Sequence, residues 1–182
     1  MSRLNKKQID KLLRALNEEL GKMDVNSELY LVGGAVMCLA FTARPSTQDI
    51  DAIFVPSTEV RAAAKRVALQ LGVKEDWLND GVKGFLSQKG EFEPYLALSH
   101  LQVFVAKAEY LLAMKCLAMR IGEEFRDIED VRYLLRHLDI ETYSKALEVI
   151  GKYYPSDKFP TKARYVLQEL LQCNGRENLD TI

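Results

Sequence analysis

The chain has 182 residues, of which 48% are hydrophobic and 28% charged, and its 25 basic and 26 acidic residues leave a formal net charge of −1. That is enough apolar material for one compact domain, or for a domain with a small helical appendage. The balanced charge excludes a whole-protein pull toward nucleic acid or membrane surfaces, leaving at most a local basic patch.

Residues 1–10, "MSRLNKKQID", carry no apolar signal core, and no run along the chain is apolar and long enough to span a bilayer. No membrane association is expected. Residues 4–20 read as a helix, with Leu4, Ile9, Leu12, Leu13, Leu16 and Leu20 at helical spacing and Gly21 as a stop. Residues 29–32 are strand-like; Gly33-Gly34 punctuates them, and residues 35–42 read as a short buried helix. A loop broken by Pro45 leads to a strand over residues 49–55, closed by Pro56. Ser57 or Thr58 is positioned to cap a helix over residues 59–71, followed by Gly72. Asn79-Asp80-Gly81 reads as a turn, and residues 88–94 as a polar loop. Residues 101–106, "LQVFVA", form the last clear strand. Helices are expected over 108–121, 124–137, 141–151 and 160–173, ahead of a tail over 174–182. The order predicts an α/β (α+β) fold, a small mixed sheet with packed helices over residues 1–107 and a helical region over 108–182.

Cys38, Cys116 and Cys173 are odd in number and widely spaced, so they form neither a disulfide framework nor a paired metal motif. A reducing cytoplasm is the default location. With only His100 and His137, a histidine-rich zinc site is not expected. Both His100 and Cys116 read as structural residues, and Tyr153-Tyr154 as packing for the helical region. Lys158, Lys162 and Arg164 read as a solvated face, with RNA contact the weaker alternative.

The chemistry concentrates in residues 29–56, "LYLVGGAVMCLAFTARPSTQDIDAIFVP". Alternation along a strand puts Asp49 and Asp51 on one side and Ile50 and Ala52 on the other, with the two aspartate backbones roughly 6 to 7 Å apart. Two carboxylates that near repel unless a cation lies between them. Mg²⁺ takes oxygen ligands, commonly one or two carboxylates plus substrate phosphates, so the pair fits one shared ion or two ions about 4 Å apart. Gly33 and Gly34 let backbone approach a ligand closely, and amides beyond them favour phosphate oxygens. Ser46 and Thr47 offer hydroxyls, and Arg44 a cation for phosphate. A glycine pair alone is usually only a turn, and Asp-x-Asp alone is common on solvated strand faces. The order strand, glycine pair, helix, loop and acidic strand is what makes the combination specific.

That combination, "LVGGAVMCLA" followed by "STQDIDAIF", resembles the signature of the minimal nucleotidyltransferase superfamily, which has a DNA polymerase β-like fold. The branch it most resembles lies near the abortive-infection AbiEii-type nucleotidyltransferases, which include toxins of toxin–antitoxin systems. "EYLLAMKCLAMRIGEEFRDIEDVRYLL" looks like that branch's later motif, a lysine and an arginine followed by an aspartate pair, and "DWLND" is similar as well. The resemblance runs from about Leu29 to Leu138. It implies Mg²⁺ at Asp49 and Asp51, with a nucleoside triphosphate as substrate. Gly33, Gly34, Arg44, Ser46, Thr47 and Arg120 would bind nucleotide. Catalytic roles would fall to Asp49, Asp51, Lys115, Asp127 and Asp130. A tRNA or protein acceptor and a cognate antitoxin or toxin are the partners it implies.

On the residues themselves, Met114, Leu117, Ala118 and Ile121 make an apolar stripe around Lys115 and Arg120. Lys115 is then either a solvated helical lysine or a charge offset for the triphosphate. Asp127 and Asp130 share a helical side and cap the helix start, brace Lys115 or Arg120 toward the substrate, or take part in catalysis directly. One departure stands out. Active members of the superfamily usually carry a third carboxylate on a later strand, whereas "LQVFVA" has none. Asp80, Glu91 and Glu93 are the nearest acids in sequence, none in the expected setting. The sequence therefore carries two principal readings, a nucleotidyltransferase and a catalytically degenerate relative that acts as an antitoxin-like or scaffold protein. An RNA-binding module is a weaker third.

Overall fold

The structure, a computed structural model, describes residues 3–120 and 126–174. The expected stripe residue Ile121, the start of the helix expected at 124 and the tail beyond 174 lie outside the described residues. The chain divides into two compact units, Met1–Gly84 with Phe92–Ala106, and Phe85–Glu91 with Lys107–Ile182.

The first unit is a mixed α/β layer, the class expected from the sequence. Helix α1 (Lys6–Lys22) begins at a reciprocal cap: the Gln8 amide donates to the Asn5 side chain, and the Asn5 amide to the Gln8 side chain. Leu4, expected inside this helix, instead forms an isolated bridge with Thr47. Strands β1 (Ser27–Leu31), β2 (Ile50–Val55), β3 (Leu78–Asn79), β4 (Phe92–Ala97) and β5 (Leu101–Ala106) form one sheet in the order β3-β2-β1-β5-β4. β1 runs antiparallel to β2 and parallel to β5, pairing Leu29 with Phe54 and Val103, and Leu31 with Ala52 and Val105. All six of these side chains are buried, which defines the core face of the sheet. Helix α3 (Ser57–Leu71) packs on α1, and the two helices contact β2 and β5.

Two local expectations are corrected. Residues 92–97 are a strand and not part of a polar loop. Pro94 hid it, because proline cannot donate to a ladder; here it sits on an edge strand where the register shifts between Pro94 and Leu96. Neither Ser57 nor Thr58 caps α3: Pro56 is the N-cap, with no side-chain cap bond, and Ser57 is already helical.

The second unit is helical: α4 (Ala108–Leu117), α5 (Asp127–His137), α6 (Tyr143–Tyr153) and α7 (Thr161–Asn174). α4 is buried at every position from Tyr110 to Cys116, the pattern of a central helix rather than a surface one. The Phe85–Glu91 stretch is tied to this unit by tyrosines. Ser87 donates its amide to Tyr110 Oη at 3.1 Å and its hydroxyl to the Tyr153 carbonyl at 2.6 Å, while Tyr154 Oη donates to the Phe85 carbonyl at 2.5 Å. Tyr153 and Tyr154 are both buried. Among the described residues, no helix is long and apolar enough to cross a membrane.

Candidate functional site

The glycine pair opens helix α2 (Gly33–Leu39) directly after β1. Val32, between them, is extended, and its amide donates to the Asp51 carbonyl at 3.0 Å. That bond fixes the end of β1 against the start of β2. Gly33 has φ +65°, a left-handed conformation that side chains other than glycine's rarely adopt. A Cβ built there would lie 2.8 Å from Asp51 Oδ2. The carboxylate therefore occupies the space that any other residue at 33 would fill. At Gly34 a Cβ would meet Thr47 Oγ1 at 2.6 Å and Arg44 Nη1 at 3.1 Å. Asp51, Thr47 and Arg44 thus gather around the two glycines.

Asp49 and Asp51 flank Ile50, which is fully buried, while both aspartates are half-buried. Asp49 lies just before β2, not inside it. Its Oδ2 accepts from Asn79 Nδ2 at 3.2 Å, and Asn79 pairs with Asp51 in the parallel β2–β3 register. The segment leading into Asp49 is pinned from the other end of the chain. Leu4 and Thr47 exchange two backbone hydrogen bonds of 2.7 and 2.9 Å, and Arg3 donates to Ser46 Oγ at 3.0 Å and to the Ser46 carbonyl at 3.3 Å. The Ser46 hydroxyl is accordingly turned to Arg3, whereas the buried Thr47 hydroxyl is turned to Gly34.

The donor set suits a hard cation. Two carboxylates, one of them over a glycine that admits close approach, match the preference of Mg²⁺ for oxygen. Among the described residues no group of three or more His, Cys, Asp or Glu could hold a metal. The other positions around an ion would fall to phosphate oxygens and water, the usual arrangement for Mg²⁺.

In the second unit, Lys115 is only 9% exposed, and its ammonium lies 2.9 Å from Asp127 Oδ1 and 2.8 Å from Asp130 Oδ2. Arg120 adds its backbone amide at 3.2 Å and its Nε at 3.1 Å to Asp127 Oδ2. Burial would raise the Asp127 pKa, but the charge and hydrogen bond of Lys115, with those of Arg120, outweigh it and hold the carboxyl below its ordinary range. Of the two alternatives at Lys115, the solvated surface lysine is ruled out by this burial. Of those at Asp127 and Asp130, the bond geometry is that of bracing; the N-cap of α5 is Arg126. Two carboxylates, one ammonium and one guanidinium balance within the cluster.

The acids nearest to the absent third carboxylate are engaged elsewhere or exposed. Asp80 pairs with Lys83 and Arg61, and the Lys83 hydrogen bond leads in holding its carboxyl below the usual value. Glu91 lies 3.5 Å from Lys107, and Glu93 is exposed on β4. Two residues of the arrangement went unmarked by sequence reasoning, Asn79 and Arg3. Asn79 carried a signal in "DWLND", but as a turn residue; Arg3 carried none, because its partner lies 43 residues away.

A mixed sheet that sets an acidic strand over a glycine-opened helix is the frame of a nucleotidyltransferase-like core. Residues 7–158 match a protein family described as "nucleotidyltransferase of unknown function (DUF6036)", and the chain belongs to that family. Neither the comparison with curated proteins nor that with solved structures gave a match.

Proposed function

We propose that the protein is a Mg²⁺-dependent nucleotidyltransferase that moves a nucleotidyl group from a nucleoside triphosphate to an acceptor. The carrying observation is the Asp51 carboxylate lying against Gly33, with the half-buried Asp49 two residues before it and bonded to Asn79. In this reading Asp49 and Asp51 hold the ion, which supplies charge neutralisation at the triphosphate. Gly33 and Gly34 admit the phosphates to the backbone, and Arg44 and Thr47 contact phosphate oxygens. An acceptor hydroxyl, giving its proton to solvent, or an ionised phosphate oxygen attacks the α-phosphorus, the α–β phosphoanhydride bond breaks, and pyrophosphate leaves. Such a step depends on placement and charge stabilisation more than on a covalent intermediate. The proposal also gives Lys115 a role in activity, with Asp127 and Asp130 as its positioning residues. The acceptor is a tRNA end, a protein side chain or a small molecule, and a toxin–antitoxin or defence setting would add a cognate partner.

The test is incubation with each labelled triphosphate, Mg²⁺ and total cell RNA or lysate. Label transfer that is lost in Asp51→Asn and on chelation is the expected result. Failure of any triphosphate to bind at millimolar concentration defeats the proposal. One observation favours a second reading: β5 offers no carboxylate, and Asp49 is already bonded to Asn79. A degenerate member would bind a partner protein without transferring label, and co-purification with label-free triphosphate controls separates the two.

A further inference from the structure

Apart from the glycine pair, the first unit contains a cavity of about 500 Å³. Its apolar wall is made by Leu4 and Leu12 of the N-terminal segment together with Trp77, and its polar rim by Lys11, Gln48 and Lys74. The volume lies within the usual span for small-molecule sites, which are apolar pockets with a few placed polar groups. Trp77 is buried, and its indole N–H is donated to the Ala64 carbonyl at 3.0 Å. The ring has only carbon surface to offer the cavity. Lys11 and Lys74 come from different elements, α1 and the α3–β3 connection, and reach the same opening. Among the described residues neither ammonium forms an ion pair, in contrast to Lys22, Lys65 and Lys83 of the same unit. No carboxylate lines the cavity. An apolar wall beside two uncompensated cations fits a small organic anion with an apolar body. It does not fit a polyphosphate, whose charge would leave the wall unused.

The walls are also joined to the acidic strand. Gln48 lies between Thr47, which abuts Gly34, and Asp49, which accepts from Asn79. Leu4 holds Thr47 by its two backbone bonds, and the Trp77 carbonyl accepts from the Ile50 amide at 2.7 Å. Three cavity residues are therefore bonded to, or adjacent to, the segment that carries Asp49. We infer that this cavity is a binding site for a small amphipathic organic anion, a carboxylate, sulfonate or phosphate monoester, and that its occupation displaces the 47–50 segment. Only the regulatory meaning of that displacement rests on the function proposed above.

Trp77 is the sole tryptophan, so its emission reports on this cavity. The full chain is titrated with anilinonaphthalene sulfonate, following quenching of Trp77 and energy transfer to the dye. Saturable one-site binding is expected, weaker by about tenfold in Lys11→Gln/Lys74→Gln, a loss of the size that two near-surface charges confer. The uncharged analogue phenylnaphthylamine is expected to bind at least as weakly to the unmodified protein. Amide resonances of Gln48, Asp49 and Ile50 are expected to shift with the same midpoint. Absence of saturable Trp77 quenching, or equal affinity in the folded double variant, overturns the site. Unmoved Asp49 and Ile50 amides at saturation overturn the coupling. None of these readouts requires triphosphate binding, so a protein inert toward triphosphates can still pass or fail them.

Discussion

Gly33 is restricted to glycine twice over, by its left-handed backbone and by the Asp51 carboxylate beside it. Gly33→Ala forces a left-handed alanine, at about 1 kcal/mol, and drives a methyl group into Asp51 Oδ2. The expected outcome is a lowered melting temperature together with loss of Mg²⁺-dependent triphosphate binding, measured by thermal unfolding and calorimetry. Gly151→Ala is the matched control. Nothing lies within 4 Å of a Cβ there, and it sits inside α6, so it should stabilise by about 0.5 to 1 kcal/mol. Asn79 acts one step further out. Asn79→Ala removes the amide that orients Asp49 and should weaken Mg²⁺-triphosphate binding by about tenfold, the usual effect of losing a partner behind a metal ligand. Unchanged binding would separate Asp49 from the metal.

At the scale of elements, α4 and α5 are joined by charge as well as by apolar packing. Lys115 is buried because α4 is apolar all round, and a buried ammonium needs carboxylates beside it. Lys115→Ala takes from Asp127 and Asp130 the ammonium they share, leaving Arg120 on Asp127, and should cost about 3 kcal/mol in urea unfolding. Replacing the three together by Lys115→Met, Asp127→Leu and Asp130→Leu should recover most of that loss, since buried ion clusters add little over apolar packing of similar volume. A neutral Lys115→Ala would contradict the bracing geometry. Edge strand β4 teaches a different lesson, since its proline and register shift suppress the alternation that identifies strands.

The whole molecule should be stable over a pH range to whose bounds groups in the helical unit contribute. Asp127 has a depressed pKa, so its contribution is complete above the ordinary carboxylate value and is lost as pH falls below about 4 and through the folded value. On the alkaline side burial, with Glu91 and Glu109 nearby, pushes Tyr153 up to about 12, and burial raises Tyr154 and the Cys116 thiol. Raised acids contribute below their ordinary values and lose that contribution as pH climbs through the folded ones. Stability should therefore be flat near neutrality, falling below about 4 and, with the Cys116 thiol first and the tyrosines after it, above about 9, as read by urea midpoints across pH. Absorbance titration should place Tyr153 and Tyr154 among the late-ionising members of the eight tyrosines, and Tyr154→Phe should remove one of them.

The sequence by itself determined the mixed α/β class and most helices, because apolar periodicity is local and survives in one dimension. It also marked Ile50 and Ala52 as core positions of a strand, since alternation needs only neighbouring residues, although the strand begins at Ile50 and leaves Asp49 just outside it. The tertiary structure alone decided which groups meet. It brought Arg3 to Ser46, Leu4 to Thr47 and Asn79 to Asp49 across separations of about 30 to 43 residues, and it turned Lys115 from a helical position into a buried cation between two aspartates. Such contacts depend on the folding of the intervening chain and on the penalty for leaving buried charge unpaired, neither of which is written at any single position.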